Sequence, residues 1–382
     1  MKRVSIKPVW TVATGTGASL SPRLLELLSQ VNEHGSLAGA CRQHGASYRH
    51  AWNLVRQGEQ LLGVPLLSMA RGRGSVLTPL GEKLVWAGHR IGARLSPMLE
   101  SLASELEVEI GRVLSGGGEL LRVHASHGFA VEKLLDDLVG GGVTLERKYV
   151  GTQEALASLQ DGHCDLAGFH VPEGRFEPLA LAHYRPWLQA GSLRVVHVAT
   201  RQQGLMIAPG NPLKIRDVRD LARPGVRFVN RQRGSGTRFL FECLLEEAGV
   251  DAARIPGYEQ GEYTHAAVAA YVASGMADAG FGLETPARRF RLGFVPLATE
   301  RYLLLCHEAA LAQPQMQALL QVLRGTGYRQ AVGQLPGYSP SRCGEVEVLA
   351  HAFPKTAQRR QARRGPAGTP RAKGVRPRTH AS

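Results

Sequence analysis

The sequence predicts a three-part α/β protein: an N-terminal winged helix-turn-helix, a long linker helix, and a two-lobed α/β domain. Three observations predict it. Residues 35–64 read as two short helices split by Gly45. An apolar seam runs from Thr78 to Leu114 with leucines three or four residues apart. From Glu119 onward, apolar strands alternate with amphipathic helices, the grammar of parallel sheets covered by helices. The expected boundaries are 1–80 for the head, 81–118 for the linker, 119–345 for the two-lobed domain and 346–382 for a tail.

The head begins with a helix capped by Ser21, with Pro22 at its first position and Leu24, Leu25, Leu27, Leu28 and Val31 on one face. The next helix runs from about Ser36, its N-cap, to His44, with Leu37, Ala40 and Cys41 inward. Gly45 ends it in the left-handed conformation that glycine adopts at little cost. Ser47 caps the third helix, whose inward residues are Ala51, Leu54, Val55 and Leu62. Ser47, Tyr48, Arg49, His50, Asn53 and Arg56 fall off that face, where a recognition helix carries its contacts to base edges and phosphates. Pro65–Leu67 and Gly74–Thr78 then form a β-hairpin with a basic tip at Arg71 and Arg73. The alternative for this stretch is an ordinary helical hairpin with a solvated basic face.

Leu80, Leu84, Ala87, Ile91, Leu95, Met98, Leu102 and Leu106 make the linker seam, which suits pairing with a second copy; the alternative is that it packs on its own domain. Pro97 is expected to kink this helix or start another, because it lacks an N–H donor. Residues 115–118, Ser-Gly-Gly-Gly, read as a flexible connection.

In the third part, strands are expected at 120–124, 143–149, 165–170, 193–199, 205–208, 226–230, 277–282, 294–298 and 301–307. Helices are expected at 131–138, 152–160, 237–248, 264–274 and 314–325. Residues 354–382 hold nine basic and no acidic residues and read as a disordered tail, able to add non-specific phosphate affinity or simply to stay solvated.

The formal charge of +14 is uneven. Residues 1–100 carry twelve Lys/Arg against five Asp/Glu, whereas residues 101–353 are close to balanced. Positive charge therefore sits where nucleic acid is expected. Five scattered cysteines show no zinc-type spacing and fit reduced, buried thiols in the cytoplasm. No signal peptide and no apolar run of about 20 residues is present, so no membrane span is expected.

The clearest chemical signal is Asn230-Arg231-Gln232-Arg233-Gly234-Ser235-Gly236-Thr237-Arg238, between a strand and a helix. Turned backbone N–H groups, the Ser235 and Thr237 hydroxyls, Gly236 and a charge from Arg231, Arg233 or Arg238 suit an anion at a helix N-terminus. The alternative is a tight turn with surface ion pairs. Loops at Ser126-His127-Gly128, Gly151-Thr152-Gln153 and Glu262-Tyr263-Thr264-His265 occupy the same strand-end position. They add Ser126, His127, Thr152 and Thr264 as ligand candidates, with His170 and His265 nearby. Thr152 and Thr264 also read as helix caps, and Glu262 as a residue that must point away from an anion.

On EHGSLAGACRQHG, LLGVPLL and LTPLGEKL, the head resembles the DNA-binding domain of LysR-type regulators. On SYRHAW, RGRGSVLTPLGEKL and the extended segment at Val9–Val12, it is similar to the molybdate-responsive ModE-type regulators. On GTQEALASLQDGHCDLAGFHV, VRFVNRQRGSGTR and THAAVAAYVASGMADAGFG, residues 119–340 resemble a type-2 periplasmic-binding-protein-like domain, found with molybdopterin biosynthesis proteins or ModE-like heads. The small β-barrel with which ModE proteins sense molybdate is not found in this sequence. The resemblance implies a dimeric or higher homo-oligomeric, cytoplasmic transcription regulator. Its implied partners are double-stranded DNA and a small effector in the interlobe cleft: molybdate, tungstate or a pterin-type compound. Its implied targets are molybdoenzyme genes such as formate dehydrogenase. The rival is an enzyme handling molybdenum cofactor, with an accessory DNA-binding head; a third reading is an architectural DNA binder. The sequence offers no nucleophile with a base at a recognisable spacing, no metal-ligand spacing and no nucleotide loop, so neither catalysis, a metal nor a cofactor is expected.

Overall fold

The computed structural model describes residues 3–15, 17–70, 74–115, 119–189 and 191–353. Helices α1 (Pro22–His34), α2 (Leu37–His44) and α3 (Tyr48–Leu62) form the head. Ser36 Oγ accepts from the Gly39 N–H at 3.0 Å, and Ser47 Oγ from the His50 N–H at 3.4 Å, so both expected caps are in place. Ser21 makes no such bond, against expectation. The Leu24 N–H, which a Ser21 side chain would take, is already bonded to the Ser21 carbonyl at 2.9 Å. Gly45 closes α2 at φ 62°. Gly58 lets α3 pack tightly on α1: a Cβ there would lie 2.2 Å from Leu24 Cδ2.

The wing is an antiparallel pair, β1 (Leu67–Ala70) and β2 (Gly74–Leu77). Glu59 Oε1 on α3 accepts the N–H groups of Leu66 and Leu67, which fixes the wing root to the third helix. Arg71 and Arg73, the expected basic tip, lie outside the described residues, as does the basic tail from residue 354 onward.

Helix α4 (Pro79–Ser115) is one run of 37 residues through Pro97, so the proline does not start a second helix. Proline cannot donate to the carbonyl four residues back, which is that of Ala93. That carbonyl instead accepts the Thr264 hydroxyl from the two-lobed domain at 2.9 Å. The missing helix bond is thus replaced by a tertiary one.

The chain continues β3 (Leu121–Ala125), α5 (Phe129–Gly140), β4 (Leu145–Tyr149), α6 (Thr152–Gln160), β5 (Leu166–Pro172), α7 (Glu177–Tyr184) and β6 (Leu193–Ile207). It then forms β7 (Phe228–Arg231), α8 (Gly236–Ala248), β8 (Gly261–Glu262), α9 (His265–Ala273), β9 (Ala279–Leu283), α10 (Glu284–Arg289) and β10 (Gly293–His307). Helices α11 (Pro314–Arg324) and α12 (Thr326–Gly333), strands β11 (Tyr338–Ser339) and β12 (Val346–Val348), and α13 (Leu349–Ala352) complete it. The last two belong to the fold, so ordered chain runs past the expected tail start at 346.

The strand order is β4-β3-β5-β10-β6-β9-β7-β8, with β11 and β12 on β6. Pairing is parallel at the outer strands of each lobe and antiparallel around β6 and β10. These two 15-residue strands each replace two expected short ones. They run from one lobe into the other, and their register shifts at Pro296/Ala298 and Tyr302/Leu303 bend them at the crossing. Polar Arg201, Gln202 and Gln203 break the apolar run and suggest a loop, but Arg201 and Gln203 are buried by mutual pairing with Glu300. Each lobe buries an apolar cluster on both faces of its part of the sheet, and the head has its own.

Helix α4 packs on its own two-lobed domain. Ser101 and Ser104 accept the Tyr149 and Arg147 N–H groups at 3.0 and 2.9 Å, occupying the open edge of β4. On the other lobe, Arg90 and Arg94 pair with the fully buried Glu262. One helix therefore spans both lobes, and part of the seam expected to face a second copy faces its own chain. Thr264→Val removes both the cap of α9 and the bond to Ala93. We expect a loss of about 1–3 kcal/mol in denaturant unfolding; an unchanged unfolding midpoint would contradict this account of how α4 tolerates Pro97.

Candidate functional site

In the head, Ser47, Tyr48, Arg49, His50, Asn53 and Arg56 are all exposed on one side of α3, beside the wing. Tyr48 stacks on Trp52 with ring centroids 6.3 Å apart, which orients it at the helix start. Among the described residues, no carboxylate pairs with Arg42, Arg49 or Arg56. This is a basic, polar helix face with its N-terminus outward, a shape that suits the major groove.

The second site is the interlobe cleft, which continues into a groove along α4 as far as Arg112; together they enclose about 1150 Å³. The structure brings together eight of the ten residues singled out for it: Ser126, His127, Thr152, His170, Arg231, Ser235, Gly236 and Thr237. Two are elsewhere. Arg238 points to the outside of its lobe, where it pairs with Glu242 and Glu259 and covers the Tyr258 ring, because the third position of α8 faces away from the cleft. Thr264 is occupied as the cap of α9 and as donor to Ala93. Thr152 is in the cleft but does not cap α6; Gly151 holds that position without a side chain.

The polar groups converge as donors. Arg231 ends β7 and is buried. Its Nε donates to the Gln232 side chain and the Glu262 carbonyl, and its Nη2 to the Tyr263 carbonyl at 2.9 Å. Nη1 is buried with no hydrogen-bond partner, and no carboxylate pairs with this guanidinium among the described residues. Burial and the nearby Arg201 push Arg231 down to about 9, still charged at neutral pH.

A hydrogen-bond chain crosses the hinge between the lobes. Arg201 pairs with Glu300 at 2.6 Å, and Gln203 donates to the same oxygen at 2.7 Å. Arg201 Nη2 also donates to His170 Nδ1 at 3.0 Å. The same Nη2 lies 3.4 Å from His170 Nε2, so the guanidinium sits across both ring nitrogens. His170 Nε2 and Ser126 Oγ are hydrogen-bonded at 2.5 Å. On the other lobe, Gln203 Nε2 donates to Thr237 Oγ1 at 3.2 Å, which leaves the Thr237 O–H free to donate. Ser235 Oγ accepts from the Arg238 N–H and likewise keeps its proton to give. Helices α5 and α6 begin at the cleft without side-chain caps, so their first N–H groups suit a ligand.

Sequence reasoning missed Arg201, Gln203 and Glu300, whose role exists only through pairing across β6 and β10. It also missed Arg94 of α4, which lines the cleft. Glu262 faces α4 rather than the cleft floor, which resolves its place beside an anion site. A further cluster joins α4 to the first lobe: Glu100, His127 and Glu132 hold one ligand atom each within 4.8 Å of one another. Burial and then Glu132 raise the Glu100 carboxyl to about 7. These three have the donor chemistry to hold a divalent ion. The five cysteines are free and buried. No helix among the described residues is long and apolar enough to cross a membrane.

The fold and clefts define a DNA-binding head joined to a two-lobed binding domain. Comparison with known proteins agrees. The model described as bacterial regulatory helix-turn-helix protein, lysR family, matches residues 22–82, and the PBP superfamily domain matches residues 136–324. The chain thus carries a lysR-family helix-turn-helix domain followed by a PBP-like domain. It is 30% identical over 200 residues to YvgK of Bacillus subtilis (strain 168), covering 52% of this chain and 64% of that protein, so it spans less than two thirds of that relative. It is 31% identical over 182 residues to the molybdenum-pterin-binding protein MopB of Rhodobacter capsulatus, covering 41% of this chain and 67% of MopB. The solved structure of CbnR, a LysR family transcriptional regulator, is 19% identical, covering 78% of this chain and 97% of that one, with a TM-score of 0.36. At that score the domain arrangement of one says nothing of the other.

The cleft histidines make the fold acid-sensitive. Burial, then Arg201 and Arg231, hold His170 well below its usual range; burial, then Arg231, does the same to His265. Burial and Arg231 lower His127 to about 4. The unfolded chain therefore binds more protons than the native one below about pH 6.5, and stability falls as pH drops through that value. The melting temperature should decline between pH 7 and 5, with a shallower decline in His265→Gln. Equal slopes for the two proteins would show that His265 does not carry this effect.

Proposed function

We propose that the protein is a transcription regulator whose grip on DNA answers to an oxyanion bound between the two lobes. Molybdate or tungstate is the ligand we favour, with molybdoenzyme genes, such as those for formate dehydrogenase, as targets. The observation that carries this reading is Arg231: a buried guanidinium without a carboxylate, with one nitrogen unpartnered. Beside it the Ser235 and Thr237 hydroxyls each accept one hydrogen bond and keep a proton to give, which favours a fully ionised oxyanion over a ligand that must itself donate. Similarity to MopB, a molybdenum-pterin-binding protein 31% identical to this chain, supports a molybdenum-linked ligand.

One observation favours a larger variant. At about 1150 Å³ the cleft with its groove far exceeds a tetrahedral anion, so a pterin-type compound with an anionic group is the second reading. Thermal unfolding of the full chain against molybdate, tungstate, sulfate, phosphate and formate separates them. A ligand at a hundred times its dissociation constant adds about 2.7 kcal/mol. A shift with molybdate or tungstate that Arg231→Gln abolishes supports the oxyanion. No shift with any inorganic ion, but one with a pterin phosphate, supports the second reading.

For the head, the side of α4 bearing exposed Met98, Leu102, Leu106, Ile110 and Val113 suits a second copy, which would give two recognition helices. The expected operator then has two half-sites about 34 Å apart, or a multiple of that. In a mobility-shift titration, Arg49→Ala should cost about 1–3 kcal/mol. Full affinity of that variant, or full affinity for one isolated half-site, would contradict the groove contact or the paired heads respectively.

A further inference from the structure

Arg94 belongs to the linker helix, yet its side chain lines the ligand cleft. Its Nε lies 3.1 Å from Glu262 Oε2. That contact is an ion pair without a hydrogen bond, since Oε2 has no hydrogen-bond partner. Arg90 takes the other oxygen with a hydrogen bond of 3.1 Å from Nε. One fully buried carboxylate thus serves two guanidiniums.

Arg231 is the immediate neighbour of this group. It is the register partner of Glu262 across β7 and β8, and it donates to the Glu262 and Tyr263 carbonyls. Arg94 stands 5.8 Å from the centre of the Tyr263 ring. Both cations therefore abut residues 262–263. Arg90 and Arg94 share the one carboxylate and Arg231, bonded to the backbone beside it, has none, a surplus of two positive charges. Several other cations near the cleft have acids: Arg201 has Glu300, Arg147 has Asp136, and Arg233 has Glu259. A surplus of two charges in a partly dry cleft calls for a ligand with two negative ones.

We propose that the linker helix supplies the second cation of the ligand site: Arg94 joins Arg231 in holding a dianion and gives up Glu262 to do so. This rests on the anion reading above and deepens it in two ways. The site selects by charge, taking tetrahedral dianions such as molybdate, tungstate or sulfate over monoanions such as formate or nitrate. Ligand and Glu262 also compete for the same guanidinium. Binding therefore loosens one tie between α4 and the second lobe, and α4 leads directly into the head. Occupancy of the cleft is passed along a single helix, without a relay through the lobes.

The test is isothermal titration of the full chain with tungstate and sulfate, and with formate and nitrate, for wild type, R94Q, R94K, E262Q and R231Q, each checked for folding by circular dichroism. Wild type should bind a dianion and prefer it to the monoanions. R94Q should weaken dianion binding at least about tenfold, as expected for a lost hydrogen bond to a charged group. R94K should recover part of it. E262Q should tighten binding, because it frees Arg94. A purely structural pair would instead make R94Q and E262Q both weaken it, and that result overturns the exchange. R94Q equal to wild type, with R231Q inactive, removes Arg94 from the site and leaves the anion reading standing. Wild-type binding of no dianion at all, or unchanged binding in both R94Q and R231Q, removes that reading and this inference together.

Discussion

The cleft is organised around a positive charge that the chain does not neutralise. Arg231 is buried at the end of β7 with carbonyls and one amide for company. A buried lone charge costs several kcal/mol, so the surroundings are arranged to limit the cost, and they still leave Nη1 unserved. Its neighbours do not compete for an incoming anion. His170 is held neutral by burial, then by Arg201 and Arg231. Ser126 is hydrogen-bonded to it, and on the opposite lobe Gln203 donates to Thr237, whose hydroxyl keeps a proton to give. Both contacts lead back to the Arg201–Glu300 pair in the crossing strands.

The connection to the head lies in α4. Its proline leaves the Ala93 carbonyl without a helix partner, and Thr264 of the second lobe takes it. One turn away, Arg90 and Arg94 hold Glu262, the residue after which the α9 loop begins. Two serines further along satisfy the edge of β4 in the first lobe. The helix is tied to both lobes at points beside the cleft. A change in the angle between the lobes cannot leave all of these bonds intact. The unusual features of α4, a mid-helix proline and two serines on an apolar seam, are the residues that make those ties.

Much of this was legible in the sequence where local chemistry decides. Ser36, Gly45 and Ser47 mark the helices of the head because caps and left-handed glycines act over a few residues. The cleft loops were legible because strand, polar turn and helix start follow one another directly at Ser126, Thr152 and Ser235. What failed depended on distant partners. The strands β6 and β10 looked broken because Arg201 and Gln203 are polar, and only Glu300, about a hundred positions away, allows their burial. Arg238 and Arg231 look alike in NRQRGSGTR, but one helical turn sends Arg238 to Glu242 and Glu259 on the outer surface. Arg94 carried no signal in the sequence, since its partner Glu262 is brought to it only by the packing of α4 on the second lobe.

The most direct measurement is the anomalous scattering of tungsten from crystals of the full chain grown with tungstate. The account predicts one strong site in the interlobe cleft, within hydrogen-bonding reach of the Arg231 guanidinium and of the Ser126 and Thr237 hydroxyls, with Arg94 turned from Glu262 toward it. Tungsten found only at the protein surface, with Arg231 facing no anion, would contradict it.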